Sequence, residues 1–267
     1  MKVESAILKD QTAAIKKIAV FDSGIGGITF LRDAVKRLPR EHFVYFADTE
    51  NVPYGTKNAE EVKRFVHDAV RFLSTKNLKM LVIACNAATS AAVGELRQMY
   101  SFPILGMEPA IKPALHYAAG KRVLLFSTSL TIRGEKLLKL MVKLDPSCLV
   151  DTVPFDLLVK TAEAFDFSSP EVQQAIREKL DSIPPADYGA VVLGCTHFIF
   201  YRRQIEEMLP AGISVFDGNE GTLNNVLATL GSDNSEMFGP AGAISFYASC
   251  KAVRGAKAKR LMELINR

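Results

Sequence analysis

Short apolar runs alternate with longer segments of helical spacing along most of the chain. These runs are continuous rather than alternating, which is typical of strands that are covered on both faces. They predict strands at 17–22, 42–48, 79–85, 102–107, 122–128, 188–195, 213–218 and 243–249, and a weaker one at 147–153. Helical spacing predicts helices at 28–38, 58–74, 87–99 and near the C-terminus. The alternation of strands and helices indicates an α/β fold with right-handed βαβ units and mostly parallel sheets.

Polar or reactive residues stand at the ends of the predicted strands. The residues in question are Asp22, Ser23, Asp48, Cys85, Thr128 and Cys195. In open α/β sheets, ligands bind beyond the carboxyl ends of the strands. We therefore expect these side chains to lie around one ligand site.

Two pairs of similar stretches indicate two similar halves. "AVFDSGIGG" at 19–27 resembles "SVFDGNEG" at 214–221, and "LVIACNAATS" at 81–90 resembles "VVLGCTHFIF" at 191–200. Both members of the second pair end an apolar run on a cysteine. We expect two α/β halves whose strand ends face each other across a cleft.

The composition narrows the class of protein. The chain has 267 residues, of which 48% are hydrophobic, and a net charge of +4 with no clear basic stripe, which argues against nucleic-acid binding. No apolar run reaches the roughly 20 residues of a membrane helix, and the N-terminus lacks the apolar core of a signal peptide. The four cysteines form no C-x-x-C pair and no zinc-ligand spacing, so we expect a cytoplasmic protein without a metal site.

Nucleotide binding and cysteine hydrolysis are both disfavoured by the motifs. "DSGIGG" follows a strand but is not G-x-G-x-x-G, and Asp22 would repel a phosphate. A glycine turn that opens a helix could still hold a carboxylate. A hydrolase would use Cys195 with a histidine, but His197 is only two residues away, and Cys85 would have no role.

Two cysteines at helix starts favour proton transfer. A helix N-terminus lowers the pKa of a thiol, so we expect thiolates to be accessible near neutral pH. Such groups can act as base and as acid. Cys85 and Cys195 on opposite sides of a planar carbanion would carry out racemisation or epimerisation.

Five motifs occur in the order found in the cofactor-independent glutamate racemases of the aspartate/glutamate racemase superfamily. They are "FDSGIGG" at 21–27, "PYG" at 53–55, "ACNAAT" at 84–89, "MEPA" at 107–110 and "LGCTH" at 193–197. The resemblance implies two similar three-layer α/β domains with the active site in the cleft between them. It also implies interconversion of L- and D-glutamate for peptidoglycan synthesis, without pyridoxal phosphate or metal, by a homodimer. We expect one domain to comprise 16–101 and 212–267, and the other 102–211.

The resemblance also implies roles for particular residues. Cys85 and Cys195 match the paired acid/base thiols, Asp22 and His197 match residues that assist proton transfer, and Glu163 matches a helper glutamate. We expect His197 to be a neutral imidazole, because it lies near a predicted helix N-terminus. The residues that match the substrate-contact motifs are Asp22, Ser23, Pro53, Tyr54, Gly55, Asn86, Thr89, Thr128, Thr131, Thr196 and His197.

Two departures keep other functions open. The family has Thr where this chain has Ala87, and Tyr-Pro where it has Phe198-Ile199. The substrate could therefore be aspartate or a related acidic amino acid. A single-thiol decarboxylase or isomerase, and a catalytically silent binding module for acidic amino acids, are the further alternatives.

Overall fold

Strands of the chain form two separate sheets in the computed structural model, which describes residues 15–181, 184–231 and 241–266. The first sheet has the order β10-β9-β2-β1-β3-β4, and only the β9–β10 pair is antiparallel. Its strands are β1 (Lys17–Asp22), β2 (Phe43–Ala47), β3 (Leu78–Ile83), β4 (Ile104–Gly106), β9 (Ile244–Ala248) and β10 (Lys251–Ala252). The second sheet is wholly parallel and has the order β6-β5-β7-β8. Its strands are β5 (Arg122–Ser127), β6 (Val150–Pro154), β7 (Tyr188–Leu193) and β8 (Ser214–Asp217).

Helices connect the parallel strands, as the alternating pattern predicts. In the first part of the chain they are α1 (Ile28–Arg37), α2 (Ala59–Ser74), α3 (Asn86–Met99) and α4 (Ile111–Ala118). The later ones are α5 (Ser129–Arg133), α6 (Glu135–Leu144), α7 (Leu157–Glu163), α8 (Pro170–Asp181), α9 (Arg202–Met208), α10 (Asn219–Leu230) and α11 (Gly255–Ile265). Within the three described ranges, no helix combines the length and apolar character that a membrane crossing needs.

Both faces of each sheet are buried. In β1, Ile18 and Val20 pack into one apolar cluster, whereas Phe21 packs into another on the opposite face. In β5, Leu124 and Val123 are divided between two clusters in the same way. Successive side chains of a strand point to opposite faces, so a continuous apolar run requires cover on both. The predicted three-layer α/β arrangement is confirmed.

The two halves share a strand order. In the first sheet β2-β1-β3-β4 run side by side, and β6-β5-β7-β8 repeat this order in the second. The β1–β3 pair has a register shift after Lys17, and the β5–β7 pair has one after Arg122. The repeat makes β3 the counterpart of β7, so the likeness of their cysteine stretches reflects equivalent positions. The likeness of 19–27 and 214–221 does not reflect equivalent positions, because β1 is a central strand and β8 is an edge strand.

At both places where the chain passes from one sheet to the other, the structure differs from the expected domain limits. Strand β4 pairs with β3, so 104–106 belong to the first sheet, although we expected residues from 102 onward in the second domain. Strand β8 pairs with β7, so 214–217 belong to the second sheet, although we expected residues from 212 onward in the first domain. An apolar run predicts a strand but does not reveal its neighbour, which is why both limits were set too early. The division into domains itself stays a prediction.

Candidate active site

One pocket lies where the carboxyl ends of strands from both sheets meet. Its cavity volume is about 10 Å³, so the pocket is narrow. Its lining comes from segments that follow β1, β3, β5 and β7, together with the turn at 54–55 and helix α7. The lining residues are Ser23, Tyr54, Gly55, Cys85, Asn86, Ala87, Thr128, Thr131, Val159, Gly194, Cys195 and His197. The expectation of a cleft between two similar halves is confirmed.

Cys85 lies at the N-terminus of α3 and lines one side of the pocket. Its Sγ accepts a hydrogen bond of 3.5 Å from the backbone N–H of Ala88 and lies 3.7 Å from Ser23 Oγ. Burial and, to a smaller extent, the carboxylate of Asp22 raise the pKa of Cys85 to about 12. The expected lowering by the helix N-terminus is therefore wrong for this thiol. Contact with Ala88 N–H does favour the thiolate, but desolvation outweighs it.

Cys195 lies after β7 at the equivalent position and is followed by a 3₁₀ turn, Thr196–Tyr201. Its Sγ is 3.7 Å from His197 Nδ1, and His197 Nε2 is 2.7 Å from Glu163 Oε1. Burial opposes a charged imidazole, but the hydrogen bonds to Cys195 and Glu163 raise the pKa of His197 well above its usual value. The expected neutral imidazole is therefore wrong, because a carboxylate and a thiol contact the ring.

Asp22 and Glu163 join the two halves behind the pocket. Thr196 Oγ1 donates to Asp22 Oδ2 at 2.9 Å, and Ile25 N–H donates to Glu163 Oε1 at 2.6 Å. Burial raises the pKa of Asp22. For Glu163, burial acts in the same direction, but the hydrogen bonds from His197 and Ile25 outweigh it, and the pKa of this carboxyl is lowered. Each half therefore supplies one carboxylate that accepts a hydrogen bond from the other half.

The turn at 54–56 closes the front of the pocket. Tyr54 is buried and donates a hydrogen bond of 2.6 Å from its hydroxyl to Asp48 Oδ2. A Cβ atom on Gly55 would lie 2.7 Å from Thr128 Cβ and 2.8 Å from Asp156 Oδ1. Only a residue without a side chain permits this approach of the two halves.

Hydroxyl and amide groups provide the polar part of the lining. Thr128 is the N-cap of α5, and its Oγ1 lies 3.0 Å from Thr131 Oγ1. Asn86 Oδ1 is buried without a hydrogen-bond partner among the described residues. An unpaired buried acceptor is costly, so this oxygen is available to a donor on a ligand.

Six residues expected at the site do not line the pocket, and one of them, Asp48, instead accepts the hydrogen bond from the Tyr54 hydroxyl. Asp22, Thr196 and Glu163 lie behind it, as described above. Thr89 is one turn into α3, and its hydroxyl donates to Ile83 O at 3.1 Å. Pro53 precedes the lining residue Tyr54.

Val159 and Gly194 line the pocket, although sequence analysis did not select them. Val159 belongs to an ordinary apolar helix face, which carries no signal of a site. Gly194 directly precedes Cys195, and that adjacency was the one available indication.

The chain belongs to the Asp/Glu/Hydantoin racemase family, which residues 28–226 match. It is 44% identical over 220 residues to the glutamate racemase of Campylobacter curvus, a match that covers 80% of this chain and 83% of that protein. It is 40% identical over 256 residues to glutamate racemase 2 of Bacillus subtilis, and this match covers 94% of this chain and 96% of that protein. The resemblance inferred from the five motifs is confirmed.

A solved structure shares the fold. The crystal structure of glutamate racemase from Thermus thermophilus, in complex with β-chloro-D-alanine, superposes with a TM-score of 0.76 at 31% identity. The match covers 94% of this chain and 93% of that one. Similarity thus extends over both sheets and the pocket between them.

Proposed function

We propose that this chain is a cofactor-independent glutamate racemase that moves the α-proton of glutamate between Cys85 and Cys195. One observation carries the proposal: the two thiols follow equivalent strands, β3 and β7, and line one small pocket. The relatives named as glutamate racemases support glutamate as the substrate.

The proton transfer needs one thiolate and one thiol. The thiolate takes the α-proton, and the electron pair of the broken C–H bond moves into the carboxylate group, which gains enolate character. The thiol on the opposite face then donates its proton to the α-carbon and becomes the thiolate. The pair ends with its protonation exchanged, so the reverse reaction uses the same groups in opposite roles.

The surroundings of the thiols differ. Asp22 and Ser23 lie beside Cys85, whereas His197, supported by Glu163, lies beside Cys195. The raised pKa of Cys85 favours its thiol form, and the His197 ring lies next to Cys195. We therefore assign the role of acid in the first proton transfer to Cys85 and that of base to Cys195.

The polar lining suits an amino acid. Hydroxyls of Ser23, Thr128 and Thr131 donate to carboxylate oxygens, and such donors stabilise the charge that develops on the substrate. Asn86 Oδ1 accepts from the α-ammonium group. Ala87 offers no hydroxyl, so the carboxylates depend on the remaining donors.

The test is α-proton exchange in D2O. Purified protein is incubated with L-glutamate, without added cofactor, and followed by NMR and optical rotation. Loss of the α-proton signal together with loss of rotation supports the proposal. Exchange with aspartate alone would identify a racemase of a different acidic amino acid, and no exchange with any acidic amino acid would indicate a binding module.

Variants of single cysteines test the two-thiol scheme. Cys85→Ala and Cys195→Ala should each lower racemisation by at least about 10²–10⁴-fold, the contribution of one acid/base group. Cys148→Ala, at an exposed cysteine outside the pocket, is the matched control and should leave the rate unchanged. Full turnover in either pocket variant would exclude proton transfer between two thiols.

We further propose that the enzyme is cytoplasmic, forms a homodimer and supplies D-glutamate for peptidoglycan, and hence for cell-wall biogenesis and cell shape. Likeness to the family supports these statements. Light scattering on the purified protein tests the dimer, and D-glutamate dependence of growth after depletion of the protein tests the supply. A monomer at micromolar concentration, or growth that is independent of D-glutamate, would contradict the respective statement.

A further inference from the structure

Phe165 ends helix α7 in an unusual backbone conformation. Its φ is 58°, in the left-handed region that glycine occupies most easily. Phe165 N–H donates to Ala162 O at 2.8 Å, and Asp166 N–H donates to Thr161 O at 2.9 Å, which is the pattern of a helix C-terminal motif. A bulky aromatic residue is strained in this position, so surrounding contacts must hold it there.

Contacts from the C-terminal helix hold the Phe165 ring. The guanidinium carbon of Arg260, in α11, lies 3.6 Å from the centre of the ring. Phe165 also meets Phe167 edge-on at 6.1 Å, and both rings pack against the apolar cluster of the first half, to which Met262 of α11 contributes. The end of α7, which follows a strand of the second sheet, is thus attached to a helix that follows the first sheet.

Glu163 lies two residues before this turn and is the last residue of α7. A carboxylate is disfavoured at the C-terminus of a helix, because the helix dipole is negative there. The Glu163 carboxylate nevertheless has to reach Ile25 N–H and His197 at the same time, at 2.6 and 2.7 Å. A small rotation of the helix end would lengthen both hydrogen bonds.

We propose that Arg260, by stacking on Phe165, is a positioning residue that fixes Glu163 against His197. It does not touch the pocket itself and acts only through the end of α7. The role rests on the proposed function in one respect, namely that the Glu163–His197 pair supports proton transfer at Cys195. From the second half, Tyr201 donates to Asp166 O at 3.0 Å, and Arg260 adds to the support that the turn receives from the first half.

Kinetics of racemisation provide the first test. Arg260→Ala should lower kcat about two- to fivefold, the equivalent of one exposed cation–π contact, with KM unchanged. Arg260→Lys should recover most of this loss, because an ammonium group also binds a ring face. Lys259→Ala, at the exposed neighbouring position of α11, is the matched control and should have the kcat and KM of the wild type.

A double-variant cycle separates positioning from general weakening of the fold. When Glu163→Ala has removed the carboxylate, Arg260→Ala has nothing left to position and should cause no further loss. Losses that multiply in the double variant, or an Arg260→Ala variant with wild-type kcat, would overturn the proposal.

The NMR signal of the His197 ring gives a readout that does not depend on activity. Charged and titratable groups around His197 and Glu163 are Cys195, Asp22, Tyr45 and Lys257. Arg260→Ala should move the titration of His197 to lower pH, toward that of Glu163→Ala, because the carboxylate no longer holds the imidazolium. An unchanged titration would overturn the proposal. A wild-type protein that fails to racemise glutamate would refute the proposed function, while this comparison still decides the role of Arg260.

Discussion

Thr196 donates a hydrogen bond of 2.9 Å from its Oγ1 to Asp22 Oδ2, and this bond joins the ends of two strands that belong to different sheets. Both residues are buried, and Asp22 also accepts from Gly24 N–H at 3.0 Å. The bond lies directly behind the pocket, between the neighbours of Cys85 and those of Cys195. It therefore contributes both to the contact between the halves and to the charge near the thiols.

Replacing Thr196 with valine should weaken the contact between the halves and change the charge near the thiols. Thr196→Val leaves a buried carboxylate oxygen without a donor, which should lower the free energy of unfolding by about 1–3 kcal/mol in urea titrations. Loss of the donor should also raise the pKa of Asp22 and lower kcat. Thr222→Val is the control, because the Thr222 hydroxyl is likewise buried and bonds Gly218 O at 2.7 Å, but outside the pocket. Equal kcat in both variants would contradict a role for this bond in the site.

A side chain at Gly55 should obstruct the front of the pocket. The added Cβ in Gly55→Ala would meet Thr128 at 2.7 Å and Asp156 at 2.8 Å, so the halves must separate. We expect KM to rise and kcat to fall, each by about tenfold, since a displacement of about 1 Å can cost 10²-fold in total. Gly94→Ala, where nothing lies within 4 Å, should leave kinetics unchanged and stabilise α3 by about 0.5–1 kcal/mol. Wild-type kinetics in Gly55→Ala would show that close approach is not required.

Stability of the Glu163–His197 pair should depend on pH within a defined window. The pKa of His197 is raised, so the pair's contribution is complete below the unfolded value of about 6.5 and is lost as pH rises through the folded value. The pKa of Glu163 is lowered, so the contribution is complete above about 4.3 and is lost at lower pH. Near pH 5–6, the free energy of unfolding of the wild type should exceed that of Glu163→Gln by about 1.5–3 kcal/mol. A difference in unfolding free energy that stays constant from pH 4 to pH 9 would rule out the ion pair.

Asp22 should control the reactivity of Cys85. Because burial and the Asp22 carboxylate raise the pKa of Cys85 to about 12, its alkylation by iodoacetamide at pH 8 should be slow compared with that of the exposed Cys148. Asp22→Asn removes a negative neighbour and should accelerate alkylation of Cys85, by about tenfold for each unit by which the pKa falls. Mass spectrometry of the labelled peptides measures both rates. Slower labelling of Cys85 in the variant would contradict the electrostatic effect.

The sequence pattern predicted most of the framework and the positions of the thiols. Buried parallel strands are marked by continuous apolar runs, and the residues that follow them are placed by the topology, so Cys85 and Cys195 could be assigned to one cleft. The hairpin strand β10 was not predicted, since its two residues, Lys251 and Ala252, carry no apolar pattern.

Electrostatics and distant contacts could not be predicted in the same way. The pKa values of Cys85 and His197 depend on burial and on partners far along the chain, and a local helix-start argument gave the wrong direction for both. The contact between Ile25 and Glu163 joins residues 138 positions apart, and only the folded chain brings them together.

The repeated strand order carries a final consequence for the thiols. If two identical subunits each contributed one cysteine, symmetry would force the same neighbours on both. Here a single polypeptide carries both copies, so the two sulfur atoms can have different neighbours. The carboxylate of Asp22 lies beside Cys85, whereas the imidazole of His197, bonded to Glu163, lies beside Cys195. An almost symmetrical scaffold thus places its two sulfur atoms in electrostatically unlike surroundings.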